Sequence, residues 1–189
     1  MTVGPTRRMA IMAFIVFAAD QLTKLLVVRN LELGEQRVVI EGFFKLVYWG
    51  NTGAAWSLFR GHNEWLALVA LIALCVLFIS RHHFDSHTLG GQISLGLVFG
   101  GIVGNLVDRL RFDHGVVDFI YFYMIRRGSG AELGFPAFNV ADSAICTGVG
   151  LMFFLSWRRE QDRSAAASVP ANLGSEGLIG KTGSRANPE

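Results

Sequence analysis

Charged residues and cysteines are both scarce in this chain of 189 residues. Asp, Glu, Lys and Arg together make up 17% of it, whereas hydrophobic residues make up 51%. The net charge of +2 is too small to indicate a nucleic acid or an acidic partner. A soluble domain of this length would have difficulty burying so much apolar surface, so the composition favours a membrane protein.

Several catalytic and metal-binding patterns are also missing. Cys75 and Cys146 lie within apolar runs, so we expect neither a structural disulfide nor a zinc site. His83 and His87 have helical metal-ligand spacing, but their short loop offers no third ligand, and we interpret them as solvated. Neither His-Glu-x-x-His nor a Gly-x-Ser-x-Gly within an apolar run is present, which disfavours the corresponding zinc and serine peptidases. We expect no metal and no cofactor.

Long apolar runs dominate what is present. A bilayer core about 30 Å thick requires roughly 20 mostly apolar residues in a helix. Four runs meet or approach this length, so we predict an all-α membrane protein with four transmembrane helices. The spans are expected at about 9–28, 65–80, 89–107 and 140–157.

The flanks of the first span bear on topology. Arg7 and Arg8 precede it, as in a cleavable signal peptide, but no small-x-small cleavage site leads into a polar start. We therefore expect this span to be retained. The positive-inside pattern is weak because loops on both sides carry Arg, but loop length favours both termini in the cytoplasm.

Two segments differ in composition from the spans. β-forming residues between 35 and 59 predict a small extracytoplasmic β-sheet at the membrane surface. After residue 159 the chain becomes rich in Arg, Glu, Ser, Ala, Gly and Pro. We therefore predict a membrane domain at 1–159 and a disordered cytoplasmic tail at 160–189.

A glycine stripe marks the third span. Gly96, Gly100 and Gly104 recur at every fourth residue, which lets another helix approach closely. Packing within the chain is favoured over a homodimer contact, so we expect a monomer.

Ionisable residues within the apolar runs are candidates for a functional site, because charge at bilayer depth is costly. Asp20 and Lys24 lie one helical turn apart on the same face. They form either a self-satisfied ion pair near the helix end or part of a polar wall. Asn105, Asp108 and Arg109 end the third span, and headgroup anchoring explains Arg109 better than it explains the other two.

Two further aspartates flank the start of the fourth span. Asp118 lies between apolar neighbours, which is unusual for a solvated loop, although a lone Asp is often a turn or cap residue. Asn139 fits an N-cap, and Asp142, three residues later, fits the acidic position of a capping box. Each aspartate therefore has a structural explanation when it is considered alone.

The polar residues nevertheless share one side of the predicted bundle. Because the spans alternate in direction, one membrane face receives the ends of the first and third spans and the loops after them. The start of the fourth span lies at the same face. The residues gathered there are Asp20, Lys24, Asn51, Asn105, Asp108, Arg109, Asp118, Asn139 and Asp142.

Two neighbouring carboxylates in a desolvated site can share one proton. One then acts as a base toward water while the other protonates a scissile carbonyl, which is the chemistry of an aspartic peptidase. Three alternatives stay open: a Ser–Lys dyad of Lys24 with Ser57 or Ser143, a small proton or cation transporter, and a non-catalytic assembly factor.

Five sequence blocks resemble the bacterial lipoprotein signal peptidase family, also called signal peptidase II or prolipoprotein signal peptidase. The resemblance extends from about residue 14 to residue 157, and the order of the blocks makes it specific. The blocks are 20–24, 51–57, 100–109, 116–119 and 138–143.

The resemblance implies a membrane aspartic endopeptidase with Asp118 and Asp142 as its catalytic pair. It implies an active site on the extracytoplasmic side of the bacterial inner membrane, with membrane lipid and a diacylglyceryl-modified prolipoprotein as partners. Cleavage would remove the signal peptide just before the lipidated Cys. The supporting or substrate-binding residues that it implies are Asp20, Lys24, Asn51, Gly53, Asn105, Asp108, Arg109 and Asn139.

Overall fold

The computed structural model describes residues 4–53, 62–84 and 86–167. The described residues up to Leu155 form one compact unit and those from Ser156 belong to another, and every site residue discussed below lies in the first. The elements are α1 (Pro5–Asn30), β1 (Gln36–Ile40), β2 (Phe44–Asn51), α2 (Asn63–Ser80), α3 (Leu89–Arg111), β3 (Val116–Ile125), β4 (Glu132–Gly134) and α4 (Val140–Ala167).

The prediction of four membrane-spanning helices is confirmed, since α1 to α4 are each long and apolar enough to cross a bilayer. The helices extend beyond the predicted spans because a helix continues past the apolar core into the headgroup region. The largest difference is in α4, which ends at Ala167. Residues 160–167, expected to be disordered, are therefore helical. The rest of the predicted tail lies outside the described residues.

Helix α2 shows how apolar the surface of the bundle is. Ala67 is its single buried side chain, whereas Leu68, Ile72 and Ile79 are exposed. An exposed apolar face of this extent is unfavourable in water but suits contact with lipid chains. The side chains of α2 thus agree with its assignment as a membrane span.

Helix α3 is the centre of the bundle because glycines let its neighbours approach. Gly96, Gly100 and Gly104 all face α1, so the stripe serves packing within the chain. A Cβ atom on Gly100 would lie 2.5 Å from the carbonyl oxygen of Ala13. On a different face of the helix, a Cβ on Gly101 would lie 2.5 Å from the carbonyl oxygen of Ala141 in α4.

The sheet is antiparallel with the strand order β1-β2-β3-β4. Its first two strands confirm the sheet predicted between residues 35 and 59. The pairing of β2 with β3 sets Trp49 opposite Asp118. A small core of Val27, Tyr48 and Val117 joins the end of α1 to these two strands. The sheet is therefore fixed to the helical bundle at the strand that carries Asp118.

Close packing at Gly100 generates a prediction. Gly100→Ala should lower the free energy of unfolding by about 1–3 kcal/mol, because the added methyl group overpacks the contact between α1 and α3. Gly150→Ala is the control, since a Cβ there meets no atom within 4 Å. Thermal unfolding in detergent measures both, and an equal loss in the two variants would contradict the packing argument.

Candidate active site

Strand β3 carries Asp118 into the interior. Its neighbours Val117 and Phe119 are buried, and Asp118 itself is only 4% exposed. Two amides satisfy its carboxylate: Asn51 Nδ2 donates to Oδ2 at 2.9 Å, and Asn139 Nδ2 donates to Oδ1 at 2.9 Å. The carboxylate is thus fixed from both sides, by β2 and by the residue before α4.

Asp142 lies in the first turn of α4 and forms the predicted capping box. Its backbone N–H donates to Asn139 Oδ1 at 2.9 Å, and its Oδ2 accepts from the backbone N–H of Asn139 at 3.1 Å. Its other oxygen has a different role, because Oδ1 accepts from Asn105 Nδ2 at 2.7 Å. Asp142 therefore caps the helix and also faces the polar end of α3.

Asn139 links the two aspartates that the sequence paired. It donates to Asp142 from its backbone and to Asp118 from its side chain. The same Nδ2 group also lies 3.2 Å from Asn105 Oδ1 and 3.3 Å from the carbonyl oxygen of Val117. Asn139, which is fully buried, thus contacts both carboxylates.

The environment of Asp118 changes its proton affinity. Burial, and then repulsion from the Asp142 carboxylate, raise the pKa of Asp118 to about 7. The hydrogen bonds from Asn51 and Asn139 act in the opposite direction, because they favour the ionised form. A carboxyl group with this pKa keeps most of its proton occupancy below pH 7 and can donate that proton within a reaction.

Lys24 is the buried cation beneath this pair. Its Nζ lies 2.8 Å from Asp20 Oδ2 and 2.8 Å from Asp108 Oδ2, and it donates to Asn105 Oδ1 at 2.9 Å. Lys24 is 3% exposed, and the two carboxylates are at most 1% exposed. The local ion pair between Asp20 and Lys24 therefore exists, and it is also part of a polar wall that extends to α3.

Each carboxylate bound to Lys24 also holds a backbone group next to the aspartate pair. Asp108 Oδ2 accepts from the backbone N–H of Val117 at 3.2 Å, one residue before Asp118. Asp20 Oδ1 accepts from the backbone N–H of Ala141 at 2.9 Å, one residue before Asp142. The ion cluster thereby positions both the strand and the helix that carry the pair.

Sequence reasoning missed Gln21 as a member of this cluster. Its Nε2 lies 3.0 Å from Asp108 Oδ1 and 3.2 Å from both Asp20 Oδ2 and the carbonyl oxygen of Gly104. The signal was present, since Gln21 is an amide within an apolar span and directly follows Asp20.

Arg109 and Asn51 both contact the loop that follows β2. Arg109 Nη2 donates to the carbonyl oxygen of Gly53 at 3.1 Å, and Nη1 donates to that of Asn105 at 3.4 Å. Asn51 Oδ1 accepts from the backbone N–H of Gly53 at 2.9 Å. The Arg109 Nε group is buried and finds no acceptor among the described residues. It is a donor that a bound carbonyl group can use.

One alternative nucleophile is disfavoured by these contacts. The Ser143 hydroxyl donates to the carbonyl oxygen of Asn139 at 3.0 Å, whereas Lys24 is held by the acidic cluster. The other serine considered as a partner for Lys24, Ser57, lies outside the described residues.

Comparison with known proteins bears directly on this site. The family model for signal peptidase (SPase) II matches residues 12–158. The chain belongs to the signal peptidase II family. The match includes both aspartates, the Lys24 cluster and the sheet. Membership makes the chain a membrane peptidase and confirms the resemblance found in the sequence.

Individual relatives agree with the family assignment. The chain is 39% identical over 155 residues to a lipoprotein signal peptidase of Anoxybacillus flavithermus, covering 81% of this chain and 87% of the relative. It is 40% identical over 143 residues to a lipoprotein signal peptidase of Bacillus subtilis, covering 75% and 87%. A solved bacterial membrane enzyme is similar in structure, with a TM-score of 0.65 and 30% identity over 82% of this chain and 90% of that one.

The ion cluster of this signal peptidase II homologue generates a prediction. Lys24→Met leaves the buried carboxylates of Asp20 and Asp108 without a cation, so the free energy of unfolding should fall by about 3–5 kcal/mol. Arg37→Met is the control, because Arg37 and its partner Glu35 are both exposed and the loss of such a pair should have little effect. Chemical denaturation in detergent compares Lys24→Met with Arg37→Met, and an equally small loss of stability in both would refute the role of the cluster.

Proposed function

We propose that this chain is an aspartic endopeptidase that removes the signal peptide from diacylglyceryl-modified prolipoproteins and cleaves before the lipidated Cys. The observation that carries the proposal is the bridge at Asn139, whose backbone N–H donates to Asp142 and whose side-chain amide donates to Asp118. The names of the relatives supply the lipoprotein substrate class. The buried polar groups lie at one end of a bundle whose outer surface is apolar, which suits a substrate that is anchored in lipid.

We assign the proton at the start of the reaction to Asp118. Burial and the Asp142 carboxylate raise its pKa to about 7, so a large share of Asp118 carries its proton in neutral solution and most of it does below pH 7. Asp142 is placed to act as the base. It lies at the N-terminus of α4, where a negative charge is favourable, and it accepts hydrogen bonds from Asn105 and Asn139.

The reaction then follows from these protonation states. Asp142 removes a proton from water while the water oxygen attacks the scissile carbonyl carbon. Asp118 donates its proton to the carbonyl oxygen, which gives a neutral tetrahedral intermediate. When the intermediate collapses, the carbonyl oxygen returns its proton to Asp118. Asp142 passes its proton to the leaving amine, so both carboxyl groups regain their starting states.

The supporting residues have distinct tasks in this scheme. Arg109 and Asn51 hold the backbone at Gly53, and the free Nε group of Arg109 is available to a substrate carbonyl. Asn105 joins Asp142 to Lys24. Lys24 in turn opposes the negative charge of the surrounding carboxylates. We propose that these contacts keep the two aspartates aligned in the absence of substrate.

A transporter has less support than a peptidase. A proton or cation path requires polar side chains through the full depth of the bundle. Within the described helices, α1 from Met9 to Ala19 and α3 from Leu95 to Val103 contain only apolar residues and glycine. The acidic cluster therefore has no polar continuation along these two helices.

We further propose the topology and the assembly state. Both termini face the cytoplasm of a bacterial cell, and the aspartate pair faces the extracytoplasmic side of the inner membrane. The glycine stripe is occupied by α1 of the same chain, which fits a monomer in a membrane lipid environment.

The catalytic assignment is tested by Asp118→Asn and Asp142→Asn, made separately. Each should reduce cleavage of a lipidated prolipoprotein by about 10²–10⁴-fold, because each removes one proton-transfer group. Asp113→Asn, at an exposed position in the turn before β3, is the matched control and should cleave normally. Thermal unfolding should show that all three variants fold. Normal cleavage by either of the first two would remove that residue from the mechanism.

The protonation order predicts a pH profile. Loss of the Asp118 proton should lower kcat/KM as the pH rises through about 7, following the pKa of that group. In Asn51→Leu the ionised form loses one hydrogen bond, so the alkaline limb should move to higher pH. Asp113→Asn should leave the limb in place. A limb that stays fixed in Asn51→Leu would show that Asp118 is not the group that titrates.

A further inference from the structure

A second polar cluster lies at the end of the bundle opposite to the aspartate pair. It forms where α1 begins and where the chain passes from α2 to α3. The cavity there has a volume of about 260 Å³. Its wall includes Met9, Arg81, His82, Ser86, His87 and Gln92.

Gln92 contributes a buried acceptor, unpaired within the described part of the chain, to the wall of this cavity. The side chain is 2% exposed, and its Nε2 donates to the carbonyl oxygen of Ser86 at 3.2 Å, which fixes the amide orientation. Its Oε1 is buried and finds no donor among the described residues. An acceptor left unpaired in this way costs free energy, so it indicates a donor supplied by a bound molecule.

The remaining polar groups of the cavity suit a phosphate. Arg81 carries a permanent positive charge, and its guanidinium group lies 4.1 Å from the centre of the Phe78 ring. Its Nη1 donates to the carbonyl oxygen of Phe78 at 2.7 Å, which leaves further N–H groups for a ligand. His82 and His87 add imidazole nitrogen atoms that can donate hydrogen bonds.

An apolar groove lies between α1, α2 and α3 and shares Met9 with this cavity. Its volume is about 340 Å³, and its wall includes Met9, Ala13, Phe17, Phe78, Phe99 and Val103. Met9 lines both spaces, and Phe78 lies beneath Arg81. From Met9 to Phe17 the groove follows α1 for roughly 12 Å, at about 1.5 Å per residue.

We propose that the cavity and the groove together bind one glycerophospholipid. The phosphate lies against Arg81, His82 and His87, and an acyl chain occupies the groove. A headgroup with a donor, such as an aminoethyl or glycerol group, reaches Gln92 Oε1. This site is independent of the proposed peptidase reaction, because it shares no residue with the aspartate pair or the Lys24 cluster.

Two other occupants match fewer of these features. A free phosphate suits Arg81 but leaves the apolar groove without a role. A substrate signal peptide has an apolar segment for the groove, but its positively charged N-terminal region would face Arg81. The lipid is the ligand that matches the charge, the unpaired acceptor and the groove together.

Binding of phosphatidylethanolamine to the full-length protein in detergent tests the proposal, with native mass spectrometry as the readout. Arg81→Gln should weaken the apparent Kd about tenfold by removing a charged hydrogen-bond donor. Ala10→Phe should weaken it similarly, because Ala10 lines the groove and a larger side chain fills it. The matched controls are Arg8→Gln and Ala18→Phe, at exposed positions of α1 outside both spaces, and they should bind normally.

Three results would overturn the lipid site. The first is an equal Kd in Arg81→Gln, Ala10→Phe and both controls. The second is displacement of the lipid by inorganic phosphate at equal concentration, which would show that the groove contributes nothing. The third is displacement by a synthetic signal peptide with undiminished affinity in Arg81→Gln, which would assign the groove to substrate.

Discussion

The buried ammonium group of Lys24 is the contact on which the site depends. Burying Asp20 and Asp108 without a cation would be very unfavourable, and Lys24 lies 2.8 Å from each. Because these carboxylates also accept from backbone N–H groups at Val117 and Ala141, the cation indirectly determines where the next residues lie. Those next residues are the two candidate catalytic aspartates. The charge of Lys24 therefore contributes both to the stability of the fold and to the positions of the candidate catalytic residues.

The arrangement also explains why a membrane enzyme contains a sheet. A helix end alone supplies one carboxylate, as Asp142 does at the start of α4. The second carboxylate must approach from another element, and β3 supplies it from the sheet. Close packing of α1 and α4 against the glycine faces of α3 brings the helical groups near that strand. Glycine positions deep in the bundle thus influence the geometry of polar groups at its end.

Much of this organisation could be predicted from the sequence because bilayer thickness sets the length of apolar runs. The four helices, the first two strands and the N-cap at Asn139 are confirmed. Strand β3 was missed, although its β-branched and aromatic residues are typical of a strand, because Asp118 was treated as an isolated loop residue. The extension of α4 to Ala167 was missed because a polar composition was interpreted as disorder. The bridge at Asn139 depends on how β3 is placed relative to α4. No local sequence pattern specifies that placement.

The contacts of Asn139 restrict which residue types can occupy position 139. Its Nδ2 group faces three oxygen atoms, on Asp118, Asn105 and Val117. An aspartate has almost the same shape, but it would turn lone pairs toward those oxygens and add a third carboxylate beside the pair. A glutamine preserves the amide but is one methylene longer, so it cannot both cap the helix and reach the strand. Aspartate would match the shape of Asn139 but not its hydrogen-bond donors, and glutamine would match the donors but not the length. Asparagine meets both requirements.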